Sequence, residues 1–171
     1  MQFFFEVLIG GLLSGVMYSL VALGFVLIYK ASGVFNFAQG AMVFFAALTF
    51  VGITEMGVPF GLALILAFGA MILLAIATER VVLRPLVNQP QITLFMATIG
   101  LTFLIEGLAQ GMWGASVRGL EIPGIQDEPL EWMMENTGIG VSKFDLFAAG
   151  VSAVLVVVLA VFFNKTRVGR A

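Results

Sequence analysis

From Val7 to Tyr29 the chain runs 23 residues without a charge, which at about 1.5 Å per residue makes about 35 Å of helix and exceeds a hydrocarbon core of roughly 30 Å. Inside a bilayer the chain must satisfy its own backbone N–H and C=O groups, so such a run folds as a helix. The pattern recurs along the sequence. Apolar residues make up 61% of the chain and charged residues 11%, with a mean hydropathy of +1.11, against roughly 45–50% and about 25% in soluble domains. The reading is an all-α, polytopic integral membrane bundle. Met1 to Glu6 holds no Lys or Arg, so the first span is expected to be retained and not cleaved as a signal peptide.

Uncharged windows predict about five transmembrane helices, over Val7–Tyr29, Phe37–Ile53, Phe60–Ala77, Thr93–Trp113 and Leu146–Phe163. Pro59 limits how far the third can extend backwards, so the second and third are expected to form a tight hairpin. One set of connections carries Lys30, Arg80, Arg84, Lys165, Arg167 and Arg170, and the other only Arg118 and Lys143. The positive-inside rule then places the N-terminus outside and the C-terminus in the cytoplasm. Residues 1–171 are expected to form a single transmembrane domain with one long external loop over 114–145. That loop holds Glu121, Asp127, Glu128, Glu131, Glu135 and Asp145 against its two bases. Within it Pro129 to Met134 reads as a short helix with Trp132 at the membrane interface.

With no Cys and no His, disulfides, thiol nucleophiles, most zinc sites and the commonest general base are absent. No catalytic residue, metal or cofactor is expected. The chain lacks the G-x-x-x-x-G-K-[ST] loop that cradles nucleotide phosphates, so ATP-driven work would need a partner. Nothing points to a nucleic-acid partner.

Between the first two spans lies a polar interruption, Asn36-Phe37-Ala38-Gln39-Gly40. Irregular backbone near membrane depth survives where it is buried in protein or lines a cavity. Asn36 is a favoured helix N-cap, and a helix start inside the membrane also presents N–H groups to an anionic ligand. In the fourth span Thr98, Thr102, Glu106 and Gln110 recur every four residues on one slowly rotating face. An intramembrane Glu106 is a functional candidate by default, although the same ridge also suits hydrogen bonding across a helix contact. Gly107 and Gly111 on an adjacent face would admit a close neighbour, as would Gly11 and Gly15 in the first span. Ser14 and Tyr18 lie near the latter face and are candidates for lining a pathway. Glu79, Arg80, Arg84, Pro85 and Pro90 read as a non-spanning cytoplasmic connection, and Gly169 as a helix end.

Four stretches taken in order, GLLSGVMYSLVALGFVLIYKASGVFNFAQGAM, TERVVLRPL, LFMATIGLTFLIEGLAQ with WG and RGLEIP after it, and NKTRVGRA, resemble bacterial branched-chain amino acid ABC transporter permeases of the LivH type. The resemblance implies a multi-pass permease subunit of the bacterial inner membrane. It would pair with a second related permease and two cytoplasmic ABC ATPases and be fed by a periplasmic solute-binding protein. Relatives adapted to urea or short amides share these motifs. By the same resemblance Asn36, Gln39 and Gly40 would begin the helix nearest the translocation path. Arg167, Gly169 and Arg170 would lead into the loop that meets an ATPase. Family members continue past TRVGRA, so the resemblance further implies an N-terminal portion whose spans insert but do not transport alone. Two other functions stay open on the residues: a proton- or cation-coupled transporter fragment using Glu106, and a non-transporting assembly subunit that binds a partner through its acidic loop.

Overall fold

Among the described residues the apolar runs fold as five helices, and the polar residues between them set where each one stops. The computed structural model describes residues 2–33, 35–119, 129 and 140–165. Its elements are α1 (Gln2–Ser32), α2 (Gln39–Glu55), α3 (Phe60–Ala77), α4 (Gln91–Trp113) and α5 (Lys143–Lys165). Among the described residues four stretches are long and apolar enough to cross a membrane: Phe3–Lys30, Phe60–Leu86, Gln91–Trp113 and Lys143–Phe162. The protein is a multi-pass helical membrane protein. The fifth apolar helix, α2, has 17 residues and is about 25 Å long, short of a hydrocarbon core of roughly 30 Å. Among the described residues the only extended pairing is an isolated bridge between Pro129 and Ser142.

Several expected boundaries move. Helix α1 is longer than its uncharged core, taking in Glu6 and Lys30. Helix α2 begins at Gln39 and not at Phe37, because Asn36 to Ala38 form a turn. Helix α4 begins directly after Pro90. The connection after α3, read from sequence as non-spanning, is helical and extends the apolar stretch to Leu86: a π-helical turn over Thr78–Leu83 runs into a 3₁₀ turn over Arg84–Leu86. Pro85 explains the change of pitch. In an α-helix its ring would strike the carbonyl four residues back, and a widened turn moves that carbonyl aside. Chain reversal follows at Asn88, whose φ is 75°, with the Gln89 N–H donating to the Leu86 carbonyl at 3.0 Å. The 114–145 loop ends three residues early, since Lys143 to Asp145 already lie in α5. Leu130 to Met134 of the expected loop helix, including Trp132, lie outside the described residues.

The chain divides into two compact units. One joins Met1–Gly24 to Glu121–Ala171. In it Ser142 starts α5 by accepting a hydrogen bond from the Phe144 N–H at 3.0 Å, the arrangement that satisfies an orphan donor at a helix start. Ala149 and Ser152 form its buried line on α5.

The other unit is Phe25–Leu120. It contains α2, α3 and α4 with the last turns of α1. Helices α2 and α3 make the expected hairpin. Gly57 takes a φ of +83° in the four-residue turn, where a side chain would be strained, and Phe50 meets Phe60 edge-on at 5.2 Å. Helix α3 buries only Ala63 and Ala67, while Ile65, Phe68 and Leu73 are 67%, 69% and 70% exposed. Large apolar residues outside and small ones inside fit a helix whose outer face meets lipid, where packing depends on close approach and not on apolar burial.

The core of this unit lies between α2 and α4. Ala38, Ala41 and Phe45 pack with Leu101, Ile105 and Ala109. Three of these six are alanine, so the two helices come close. The tightest contact is at Gly52, where a Cβ would overlap the indole ring of Trp113.

Candidate functional site

The polar interruption is a buried turn. Asn36 and Gln39 are 6% and 8% exposed and Ala38 is fully enclosed. The Asn36 carboxamide oxygen accepts from the Ala38 N–H at 3.1 Å, and its backbone carbonyl accepts from the Gln39 N–H at 3.3 Å. Asn36 therefore does not occupy the N-cap position. Ala38 does, without a side-chain hydrogen bond. A short side chain bonding the N–H two residues on builds its own turn, and that local bond delays the helix. Gly40 is exposed, with open space around it.

Aromatic rings surround this turn. Tyr29 in the last turns of α1 stacks obliquely on Phe35 at 4.7 Å, Phe35 lies 6.4 Å from Phe37, and Phe37 meets Phe95 of α4 edge-on at 4.8 Å. The chain can fold back here because α1 ends at Gly33, whose φ is +70° and whose N–H donates to the Tyr29 carbonyl at 2.7 Å. Tyr29, Gly33, Phe35 and Phe37 then line a cavity of about 560 Å³ together with Gln91, Ile92 and Phe95. This volume falls in the range typical of small-molecule sites. Of these four rings only Phe37 lay in the interruption singled out from the sequence; for the others the signal was at most the Phe-Asn-Phe spacing around Asn36.

The polar ridge of α4 starts at this end and then turns away. Thr98 is fully buried, whereas Thr102 and Glu106 are half-buried and Gln110 is exposed. Four residues advance a helix by about 400°, so a four-residue ridge drifts about 40° at each step. The face actually buried runs Thr98, Leu101, Ile105, Ala109. The threonine hydroxyls do not bridge to a neighbour: Thr98 donates to the Phe95 carbonyl at 2.9 Å and Thr102 to the Thr98 carbonyl at 3.0 Å. Phe37 packs on Phe95, one turn before Thr98, so the structure brings Asn36, Gln39 and Thr98 to one end of the α2–α4 pair. It does not bring Glu106 there.

The expected packing glycines face outward. Gly107 and Gly111 on α4 and Gly11 and Gly15 on α1 are exposed, and a Cβ added to any of them would meet nothing within 4 Å. Ser14 and Tyr18 are exposed on α1. Arg167, Gly169 and Arg170 lie outside the described residues.

The opposite end of the α2–α4 pair holds a feature that sequence reasoning missed. Arg118 forms an ion pair with Glu55 in the last turn of α2 and also donates to the Trp113 carbonyl at the end of α4. A cation at a helix C-terminus is favourable and an acid there is not. Arg118 compensates Glu55 and both helix ends together.

Comparison with known proteins places these elements in context. The family model described as "Branched-chain amino acid transport system / permease component" matches residues 7–171. The chain is 24% identical over 181 residues to the high-affinity branched-chain amino acid transport system permease protein LivH of Escherichia coli (strain K12), covering 99% of this chain and 58% of that protein. It is 25% identical over 180 residues to the corresponding permease protein BraD of Pseudomonas aeruginosa, covering 98% of this chain and 57% of BraD. The chain thus spans less than two thirds of these relatives. No solved structure matches it.

Proposed function

We propose, starting from the fact that the chain belongs to the family of branched-chain amino acid transport permeases, that it supplies part of the transmembrane pathway of an ABC importer for branched-chain amino acids or closely related small solutes. The family match over residues 7–171 carries this reading. The buried turn supports it. Asn36 and Gln39 are polar side chains held inside an apolar helical unit, which is expensive unless the polarity is used. In the proposed assembly the N-terminus faces the periplasm and the protein resides in the bacterial inner membrane. A second related permease covers the outward-facing glycines of α4. Two cytoplasmic ABC ATPases drive the cycle, and a periplasmic binding protein delivers the solute. The permease then needs only a weak site, with the turn at Asn36 near the solute's charged end.

The test is uptake of radiolabelled leucine into proteoliposomes containing this protein with its ATPase, permease and binding-protein partners. Uptake that requires ATP and falls in Asn36→Ala is the expected result. Uptake that follows a proton gradient without ATP and disappears in Glu106→Gln would replace this reading with a proton-coupled one. No uptake under either condition would leave an assembly role.

A further inference from the structure

We propose that the aromatic cavity at Tyr29, Phe35, Phe37 and Phe95 is the subsite that takes the branched aliphatic side chain of the solute. The inference rests on the transport reading and assigns it a place in this chain. Three separate segments build the cavity: the last turns of α1, the turn before α2 and the first turn of α4. Its walls are four rings and Ile92, with the Tyr29 hydroxyl and the Gln91 carboxamide as side-chain polar groups. A leucine-sized side chain gains dispersion contacts from such walls without needing a hydrogen bond. Tyr29, Phe35 and Phe37 are about half exposed, so the cavity is an open groove, and rings meeting at 4.7–4.8 Å support one another along its wall.

The position favours a small amphipathic solute over a lipid tail. Acyl chains occupy the apolar middle of the bilayer, whereas this cavity lies at helix ends, beside the polar residues Asn88, Gln89 and Gln91 and next to the buried Asn36. A free amino acid places its charged end among polar groups and its side chain among rings.

The test is photolabelling of the assembled transporter in membranes with photo-leucine, the diazirine analogue of leucine, followed by mapping of the labelled peptides. Label is expected within residues 29–37 and 91–95. With the probe well below saturation and unlabelled leucine at about ten times its own dissociation constant, it should fall about tenfold by simple competition, and with glutamate it should not fall. Ile92→Trp, which fills the cavity from a half-open helix face, should remove the label, while Phe95→Leu should keep most of it. Leucine-competed label elsewhere in the chain, with ATP-driven uptake intact, overturns the subsite and leaves the transport reading standing. Label in the cavity that leucine does not displace but a diazirine fatty acid does would make it a lipid site and also overturn the proposal. Loss of ATP-driven uptake together with all competed labelling would remove the transport reading itself.

Discussion

The two ends of the α2–α4 pair are built on opposite principles. At the Asn36 end, polar side chains are buried, rings stand around open space and the chain between α1 and α2 is turned by its own hydrogen bonds. At the Glu55 end, a glycine lies against an indole, and one arginine ties the last turn of one helix to the last carbonyl of the other. The helices run parallel, so their dipoles add. Two positive ends meet at the cavity, and two negative ends meet where Arg118 stands. The closed end fixes the register of the pair, and the open end keeps its polar turn and its rings around open space.

The closed end is tested most severely at Gly52. A methyl group there would overlap Cε3, Cζ3 and Cδ2 of Trp113, atoms of a rigid ring that cannot bend aside. Gly52→Ala is expected to cost about 1–3 kcal/mol through overpacking, read as a shift in detergent-driven unfolding. Trp113→Leu in the same chain should return most of the loss, because it removes the ring. An unchanged midpoint in Gly52→Ala would mean that the two helices do not approach this closely.

At the open end the turn comes before the rings. Asn36→Ala leaves the buried Ala38 N–H without its side-chain acceptor and should destabilise by about 1–2 kcal/mol. Asn36→Ser keeps a short side-chain acceptor without adding a charge to the buried turn and should cost less, so equal losses in the two variants would show that the hydrogen bond is not what matters. The Phe37–Phe95 edge-on pair is expected to show a coupling of about 0.5–1.5 kcal/mol in a double-mutant cycle with alanine. Additive single substitutions would mean that the rings do not touch in the membrane.

Much of this architecture could be read from the sequence. The limits of α3 coincide with the expected Phe60–Ala77 because Pro59 starts it and charged residues follow it. The start of α2 was off by two residues because Asn36 bonds its own turn, a choice that propensity alone does not decide. The helical continuation over 78–86 was not legible because Glu79, Arg80 and Arg84 suggest a connection that does not span, yet all three are exposed on the continuing helix, where their charges can reach the interface. At the site, Asn36, Gln39 and Thr98 stood out in the sequence as polar residues in or between apolar spans, and the structure buries all three. The direction of the α4 ridge was not, since a small drift per turn becomes a third of the circumference by Gln110. The cavity was invisible for a simpler reason: its rings lie up to 66 positions apart and no local pattern connects them.

Thr49 and the Glu55–Arg118 pair set the fine balance of the closed end. The Thr49 hydroxyl is buried, at 3% exposure, and has no hydrogen-bond partner among the described residues. Thr49→Val keeps the shape and removes the stranded hydroxyl, so it should raise stability by up to about 1 kcal/mol; a loss would reveal a partner for that hydroxyl. The ion pair works in the other direction and more weakly. Glu55 is 48% exposed and Arg118 22%, so water and salt screen their attraction, and a coupling of about 0.2–1 kcal/mol is expected from the Glu55→Gln and Arg118→Gln cycle. The coupling should shrink as ionic strength rises. Arg118→Gln should cost more than Glu55→Gln, because only Arg118 also serves the Trp113 carbonyl and the two helix ends. Equal single losses would reduce its role to the ion pair alone, and the closure of this end would then rest on Gly52 and Trp113.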